Sequence, residues 1–223
     1  MKLFLINKLT IIFSSAIIIL LQFYPNIDLY ISQQFYNPTS GFVLKHHIIA
    51  RILFSSVPVM ISVIVASCIA ILLINYFKHP RYADRIPNRH VLYILLTIAV
   101  GPGLVVNSIL KESMGRARPS QIEAFKGSKD FSSAWRMSDQ CESNCSFPSG
   151  HAAAAFYLTA LAFIIPPRYS LYVYLFGMLY GSMLALVRIG QGGHFFSDTV
   201  SSLLIVLAIN TFCAGKILKI ARV

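Results

Sequence analysis

Six stretches of this chain are too long and too apolar to remain in water, at about residues 9–24, 52–77, 91–110, 151–166, 169–187 and 199–218. A helix needs about 17–25 predominantly apolar residues to cross the hydrocarbon core of a bilayer. Inside that core every backbone N–H and C=O must find a partner within the protein, which leaves helical bundles and closed barrels. The in-out alternation of barrel strands is missing. The expected fold is therefore all-α: a polytopic integral membrane protein, a bundle of six transmembrane helices. Only 12% of residues are charged and 56% are hydrophobic, where a soluble domain carries about 25% charged residues. No hydrophilic stretch is long enough for a second unit, so residues 1–223 are read as a single membrane-embedded domain. The first apolar stretch runs into Leu21-Gln22-Phe23-Tyr24-Pro25 without a small-residue cleavage pattern, and is read as a retained helix. The second, with Pro58, is long enough to tilt or bend. Gly101-Pro102-Gly103 in the third predicts a local kink rather than a site.

Lys and Arg accumulate on the cytoplasmic side of membrane proteins. With the N-terminus inside, ten of the 19 basic residues are inside: Lys2, Lys8, Lys78, Arg81, Arg85, Arg89, Arg168, Lys216, Lys219 and Arg222. Six of the remaining nine lie in the long 111–150 loop, where the rule loses force. The short loop 78–90, with four basic residues against Asp84, decides for cytoplasmic N- and C-termini. Under any six-helix reading, segments 24–51, 111–150 and 188–198 share one face. The net charge of +11 points to anionic lipid headgroups. No basic run interleaved with aromatics suggests a nucleic-acid groove, so no nucleic-acid partner is expected.

Three clusters fall on that shared face. KESMGRARP places Lys111, Arg118 and Pro119 after the third helix; PSGH places Pro148, Ser149, Gly150 and His151 at the start of the fourth; RIGQGGHFFSD places Arg188, His194 and Asp198 between the fifth and sixth. Taken singly, each has a plain reading. Lys111, Arg116 and Arg118 can snorkel from a helix end, and Ser149 can cap a helix. Asp198 resists such a reading, because a carboxylate near a helix interior in a bilayer is costly, and the other seven acids fall in loops. His194 lies four residues earlier, the spacing that puts two side chains on one helical face. An imidazole held by a carboxylate has its tautomer fixed and its other nitrogen free. Together, Lys111, Arg118 and Arg188 can surround a phosphate, and the N–H groups at Ser149-Gly150-His151 can point at the same anion. Two histidines then supply a nucleophile and an acid. The arrangement is a phosphoryl-transfer site that needs no metal and no cofactor.

These residues resemble the type 2 phosphatidic acid phosphatases, a superfamily related to vanadium haloperoxidases. Its signature of K-x6-RP, PSGH and SR-x5-H-x3-D is matched by Lys111 to Pro119, by Pro148 to His151, and by Arg188, His194 and Asp198. Val187 stands where the third motif has serine. The resemblance implies that His194 attacks phosphorus with Asp198 accepting its other N–H. It implies that His151 protonates the leaving oxygen, and that Lys111, Arg118, Arg188, Ser149 and Gly150 bind the phosphoryl oxygens. Cys141-x3-Cys145-Ser-Phe before PSGH looks like the bacterial lipid A phosphatases, with removal of the 4′-phosphate favoured over the 1-phosphate. That likeness implies a bacterial inner membrane, a periplasmic active site, a phosphorylated lipid as substrate and no obligate protein partner. Undecaprenyl pyrophosphate and phosphatidylglycerol phosphate are the competing substrates, and a non-catalytic lipid-phosphate binder or transporter is the competing class.

Two readings stay open for two features. Cys141 and Cys145 can form a disulfide in an oxidising compartment or contribute to a metal site. Trp135, Lys126, Lys129 and Arg136 can hold an anionic headgroup or form an interfacial loop. Cys68 and Cys213 are read as small apolar residues within helices. The six histidines invite a metalloenzyme, but His46, His47, His79 and His90 fall on loops assigned to opposite faces, and no H-E-x-x-H occurs. Phosphate release is therefore expected to persist in EDTA. Loss of activity on chelation, restored by one particular ion, overturns this reading.

Overall fold

The computed structural model describes residues 2–77 and 86–219. Lys78, His79, Arg81, Asp84, Arg85 and Arg222, used above to orient the chain or weigh a metal site, lie outside the described residues. Helix α1 (Lys2–Phe23) is followed by a short α2 (Asn26–Gln33) and a two-stranded antiparallel ribbon, β1 (Tyr36–Asn37) with β2 (Gly41–Phe42), in which Tyr36 pairs Phe42. Helix α3 (Ile48–Tyr76) runs unbroken through Pro58. Helix α4 (Asn88–Ile98) widens into a π-helical stretch, Ala99–Leu110, and ends in the single turn α5 (Lys111–Ser113). Helix α6 (Gly150–Phe156) tightens into a 3₁₀ stretch, Tyr157–Phe163, before α7 (Pro167–Gly190) and α8 (Phe196–Ile217).

Five of these helical stretches are long and apolar enough to cross a membrane: Leu3–Phe23, Ile48–Tyr76, Asn88–Ser113, Pro167–Gly190 and Phe196–Ile217. Many of their large apolar side chains face outward. Ile48–Tyr76 has a mean hydropathy of 2.9 yet only 11% of its apolar window is buried in the protein, which fits a helix solvated by lipid. The sixth expected stretch forms the shorter apolar helix Gly150–Phe163. Ser149 caps its start, and Pro166-Pro167 forbid its continuation beyond Ile165. Unlike the others it is buried almost throughout, with Ala152, Ala153, Ala155, Phe156 and Tyr157 in the core.

Small residues let this central helix approach its neighbours. Gly177 and Gly181 of α7, spaced G-x3-G, lie against the Thr159 backbone and the Phe156 ring, where any Cβ collides. Polar side chains tie the helices together: the Tyr157 hydroxyl donates to the Ile94 carbonyl at 2.9 Å, and Asn210 Nδ2 donates to Thr159 Oγ1 at 3.1 Å. Cys68 and Cys213 are buried free thiols in this core, as their setting in the sequence predicts.

The Gly101-Pro102-Gly103 stretch does more than kink a helix. Pro102 lacks an N–H and its ring opposes the carbonyl one turn back, so the helix widens instead of keeping its α ladder. Side chains add bonds to carbonyls within the widened stretch, Asn107 Nδ2 donating to Pro102 O at 2.7 Å and Ser108 Oγ to Gly103 O at 3.3 Å. The widened stretch ends at Lys111 and brings Asn107 against Gly150.

Three loops meet at one end of the bundle, the shared face expected from the sequence. The Leu44 N–H donates to Gly190 O and the Ser120 N–H to Gly192 O, both at 3.0 Å, and Lys126 Nζ donates to Pro38 O at 2.7 Å. A separate apolar cluster of Phe42, Ala117, Ile122, Phe125 and Phe195 binds them. If the α6–α7 contact is as close as Gly181 indicates, Gly181→Val lowers stability in detergent by about 1–3 kcal/mol through overpacking. Leu179→Ala, on an exposed face of the same helix, should shift thermal unfolding by less than about 0.5 kcal/mol.

Candidate active site

The site is built around the start of α8. Asp198, third residue after the N-cap position, accepts the Phe195 N–H at 2.8 Å, the usual service of an acid in a helix's first turn. Its side chain is fully buried. The same oxygen, Oδ2, accepts the Ser146 hydroxyl at 2.6 Å, and Oδ1 accepts Arg116 Nη1 at 2.5 Å. Arg116 is itself 0% exposed. Its Nη2 reaches Asp28 Oδ2 at 2.9 Å, and its Nε donates to Ser132 O at 2.8 Å. Its guanidinium lies over the Phe195 ring, 4.2 Å from the centroid. Asp28 also accepts the Ser197 N–H at 2.9 Å and the Ser197 hydroxyl. One arginine thus bridges two buried carboxylates drawn from α2 and α8.

His194 is 1% exposed. The sequence suggested that it shares a helical face with Asp198 and gives its N–H to that carboxylate. The structure corrects both points. Helix α8 begins at Phe196, and Phe195 is extended, so His194 precedes the helix. Its Nδ1 lies 2.6 Å from the Ser146 carbonyl and 3.7 Å from Asp198 Oδ2. A carbonyl can only accept, so Nδ1 carries the proton and Nε2 is left with its lone pair. Asp198 acts on the imidazole as a nearby charge and through Ser146, whose hydroxyl it holds. Burial pulls the His194 pKa down to about 3, aided by Arg188 and Lys111 and opposed by Asp198, so the ring is neutral at physiological pH.

The three expected cations converge here. Lys111, Arg118 and Arg188 all lie within electrostatic reach of His151, and Lys111 and Arg188 also of His194. Among the described residues none of the three is ion-paired to a carboxylate. Arg118 Nη2 donates to the Asn144 carbonyl at 2.7 Å, and Arg188 Nη1 donates to Gln191 Oε1 at 2.7 Å. Arg188 Nε is buried with no hydrogen-bond partner among the described residues. Partial burial draws the Arg118 pKa downward, with Asp198 acting against it. His151 stacks on Phe54 of α3, with centroids 4.0 Å apart, and Arg188 covers the same ring at 5.0 Å. Ser149 caps α6 by accepting the Ala152 N–H at 3.4 Å. Gly150 lies flush against the Asn107 amide, where a Cβ has no room. The Gly150 and His151 N–H groups, first in α6, have no intrahelical acceptor. Val187 is buried in α7 beside Arg188.

Lys111, Arg118, His151, Arg188, His194 and Asp198 and the Ser149-Gly150 helix start therefore come to one place. Asp28, Arg116, Ser146 and Phe54 were not foreseen as part of it. Arg116 carried a signal, an unexplained charge inside KESMGRARP, but snorkelling accounted for it. Asp28, far from Asp198 in sequence, carried none. Cys141 and Cys145 form a disulfide with Cα atoms 5.6 Å apart. It closes the turn that carries the Asn144 carbonyl, the acceptor for Arg118. The Trp135 indole donates to Ser201 Oγ at 2.9 Å and its ring meets Phe147 edge-on, so both Trp135 and Lys126 brace the loop.

A helical membrane protein with a neutral, buried histidine set among cations that lack carboxylate partners defines a class of phosphate-handling enzyme, and the sequence profile of the PAP2 superfamily matches residues 90–219. The chain belongs to that superfamily, and is a membrane phosphatase. It is 35% identical over 187 residues to the lipid A 4′-phosphatase of Francisella tularensis subsp. novicida, covering 79% of this chain and 80% of that one. It is 31% identical over 217 residues to the lipid A 4′-phosphatase of Rhizobium etli, covering 87% and 82%. The Rhizobium leguminosarum lipid A 4′-phosphatase is 29% identical over 215 residues, covering 87% and 90%. A crystal structure of the PAP2-type phosphatidylglycerolphosphate phosphatase of Bacillus subtilis shares the fold, with a TM-score of 0.58 at 20% identity over 99% of this chain and 96% of that one.

Two measurements check this geometry. The ring nitrogens of His194 in the ¹⁵N-histidine-labelled protein should keep a neutral, Nδ1-protonated signature from pH 8 down to pH 5, because the pKa of about 3 lies below that window; a titration near 6.5 contradicts the burial argument. Arg116→Ala leaves two buried carboxylates without their bridge and should cost about 3–5 kcal/mol of stability, read by thermal unfolding.

Proposed function

We propose that this protein is a lipid A 4′-phosphatase acting through a phosphohistidine. The observation that carries this reading is the set of three cations without carboxylate partners around a neutral, oriented imidazole. A phosphate monoester supplies the missing negative charge, and Lys111, Arg118 and Arg188, with the N–H groups of Gly150 and His151, receive its non-bridging oxygens. In this reading the Ser149 hydroxyl stays engaged as the cap, and Ser149 and Gly150 bind through their place at the helix start. The lone pair of His194 Nε2 attacks phosphorus, and the bond from phosphorus to the sugar oxygen breaks. That oxygen takes a proton from His151 and departs as a hydroxyl. Water then attacks the phosphohistidine, His151 takes its proton, the N–P bond breaks and inorganic phosphate leaves. Splitting one displacement into two is the gain of a covalent nucleophile, and positioned positive charge lowers the barrier of each step.

The lipid A assignment, with the 4′-phosphate as the bond cleaved, rests on three relatives that carry that name over most of their length. Six membrane crossings are supported by the loops. Ser149 and Gln191 lie at the same end of the bundle, so Gly150–Phe163 must carry the chain across for α7 to return it. Seven α-helical and seven 3₁₀ residues span about 25 Å, since the 3₁₀ rise is larger, close to the thickness of the hydrocarbon core. A Cys141–Cys145 disulfide fits an oxidising compartment and supports a periplasmic site in a bacterial inner membrane with both termini cytoplasmic.

Mass spectrometry of membrane lipids from cells with and without the active protein tests the substrate: the 4′-phosphate of lipid A should disappear only where the protein is active. Persistence of that phosphate, with loss from another lipid, removes the assignment. His194→Ala should abolish phosphate release while the lipid still binds, and His151→Ala should lower kcat by about 10²–10⁴-fold. Vanadate should inhibit as a mimic of the transferring phosphoryl group. A non-catalytic binder predicts none of these effects.

A further inference from the structure

Beside the candidate phosphate site opens a cavity of about 300 Å³, which shares Arg118 and Arg188 with it. The rest of its wall includes Lys45, Arg51, Ser55 and Ser120, and among the described residues no carboxylate lines it. Lys45 and Arg51 make no side-chain hydrogen bond or ion pair with any described residue. Their placement is nonetheless fixed. The Leu44 N–H bonded to Gly190 O holds the loop that bears Lys45 against the end of α7. Arg51 stands three and four residues before Phe54 and Ser55, so it occupies the face of α3 whose Phe54 ring carries His151 and Arg188.

The charge count is informative. A phosphate monoester dianion already meets Lys111, Arg118 and Arg188. Lys45 and Arg51 add two positive charges that the transferred phosphate does not need, beside hydroxyls suited to a polar ring. We propose that this cavity is a second anion subsite, which receives an oxyanion, carboxylate or phosphate, carried on the leaving group next to the phosphate removed. The proposal rests on the lipid phosphatase reading and deepens it: the preferred substrate is a glycolipid with at least two anionic groups. Arg118 and Arg188, lying between the two positions, set the spacing at which the second anion is accepted.

The test uses the full-length protein in neutral-detergent micelles with three glycolipids that share the same cleaved phosphate. One has no other charge, one bears a second phosphate, and one bears a carboxylate sugar. The double variant Lys45→Ala/Arg51→Ala should raise KM about tenfold for the second or third substrate, consistent with the loss of two solvent-exposed charge contacts, with kcat within about twofold. Which of the two responds identifies the source of the anion. The singly charged lipid should show no selective loss, and the exchange Lys45→Arg/Arg51→Lys should restore most of the affinity. An equal change on all three substrates, or no change on any, overturns the subsite. So does a loss that follows the phosphatidylglycerol added to the micelles rather than the substrate, because it assigns the charges to general membrane attraction. If the unaltered protein releases phosphate from none of the three, the phosphatase reading fails and the subsite falls with it.

Discussion

The bridge from Asp28 through Arg116 to Asp198 is the contact on which the rest of the site depends. Three charges are buried in a protein whose surroundings are largely apolar, and each is tolerable only because the others are there. The bridge also solves a positioning problem. The Arg116 side chain holds Asp198 while its backbone carbonyl accepts the Ser146 N–H at 2.8 Å. One residue therefore fixes both the carboxylate and the loop that carries the acceptor of the His194 proton. Asp28 anchors the far side and adds α2, which lies outside the region matched by the superfamily profile, to the same network.

The helices supply the frame for that network by two different departures from regular geometry. The proline in the third apolar stretch forces a wider helix, and the polar side chains of Asn107 and Ser108 bond to carbonyls within it. The central helix does the opposite, narrowing to a 3₁₀ stretch that reaches farther per residue. Gly150 and Gly181 allow close approaches, one at the site and one in the core. The alanines between Ala152 and Ala155 let α6 sit inside the bundle, where a helix of leucines has no space.

Much of this was legible in the sequence because membrane burial makes apolar runs conspicuous and charges expensive. The long helices, the common face of the three loops and the clustering of Lys111, Arg118, His151, Arg188, His194 and Asp198 followed from run length, parity and cost. The rest is hidden from sequence for physical reasons. Hydropathy counts residues and is blind to rise per residue, so the 3₁₀ stretch that lengthens the short central helix leaves no signal. Spacing alone does not distinguish a helical face from a capping turn, so it does not reveal that His194 precedes its helix. The partners of Asp28 and Arg116 are remote in sequence, and an ion bridge leaves no periodic trace. The Cys141–Cys145 question needed coordinates: spacing of this kind permits a disulfide without requiring it.

The hydrogen bond from His194 to the Ser146 carbonyl has a consequence for how this site tolerates change. Its acceptor is a main-chain atom, and no exchange of side chain at position 146 deletes it. Orientation of the imidazole is thereby insulated from most single-base mutations, which remove groups rather than carbonyls. It can be lost only by moving the loop. That loop is clasped by a disulfide one residue earlier, at Cys145, and by the Arg116 backbone. The vulnerable points of the candidate site therefore lie in the residues that hold its backbone still, several of them remote from His194 in sequence.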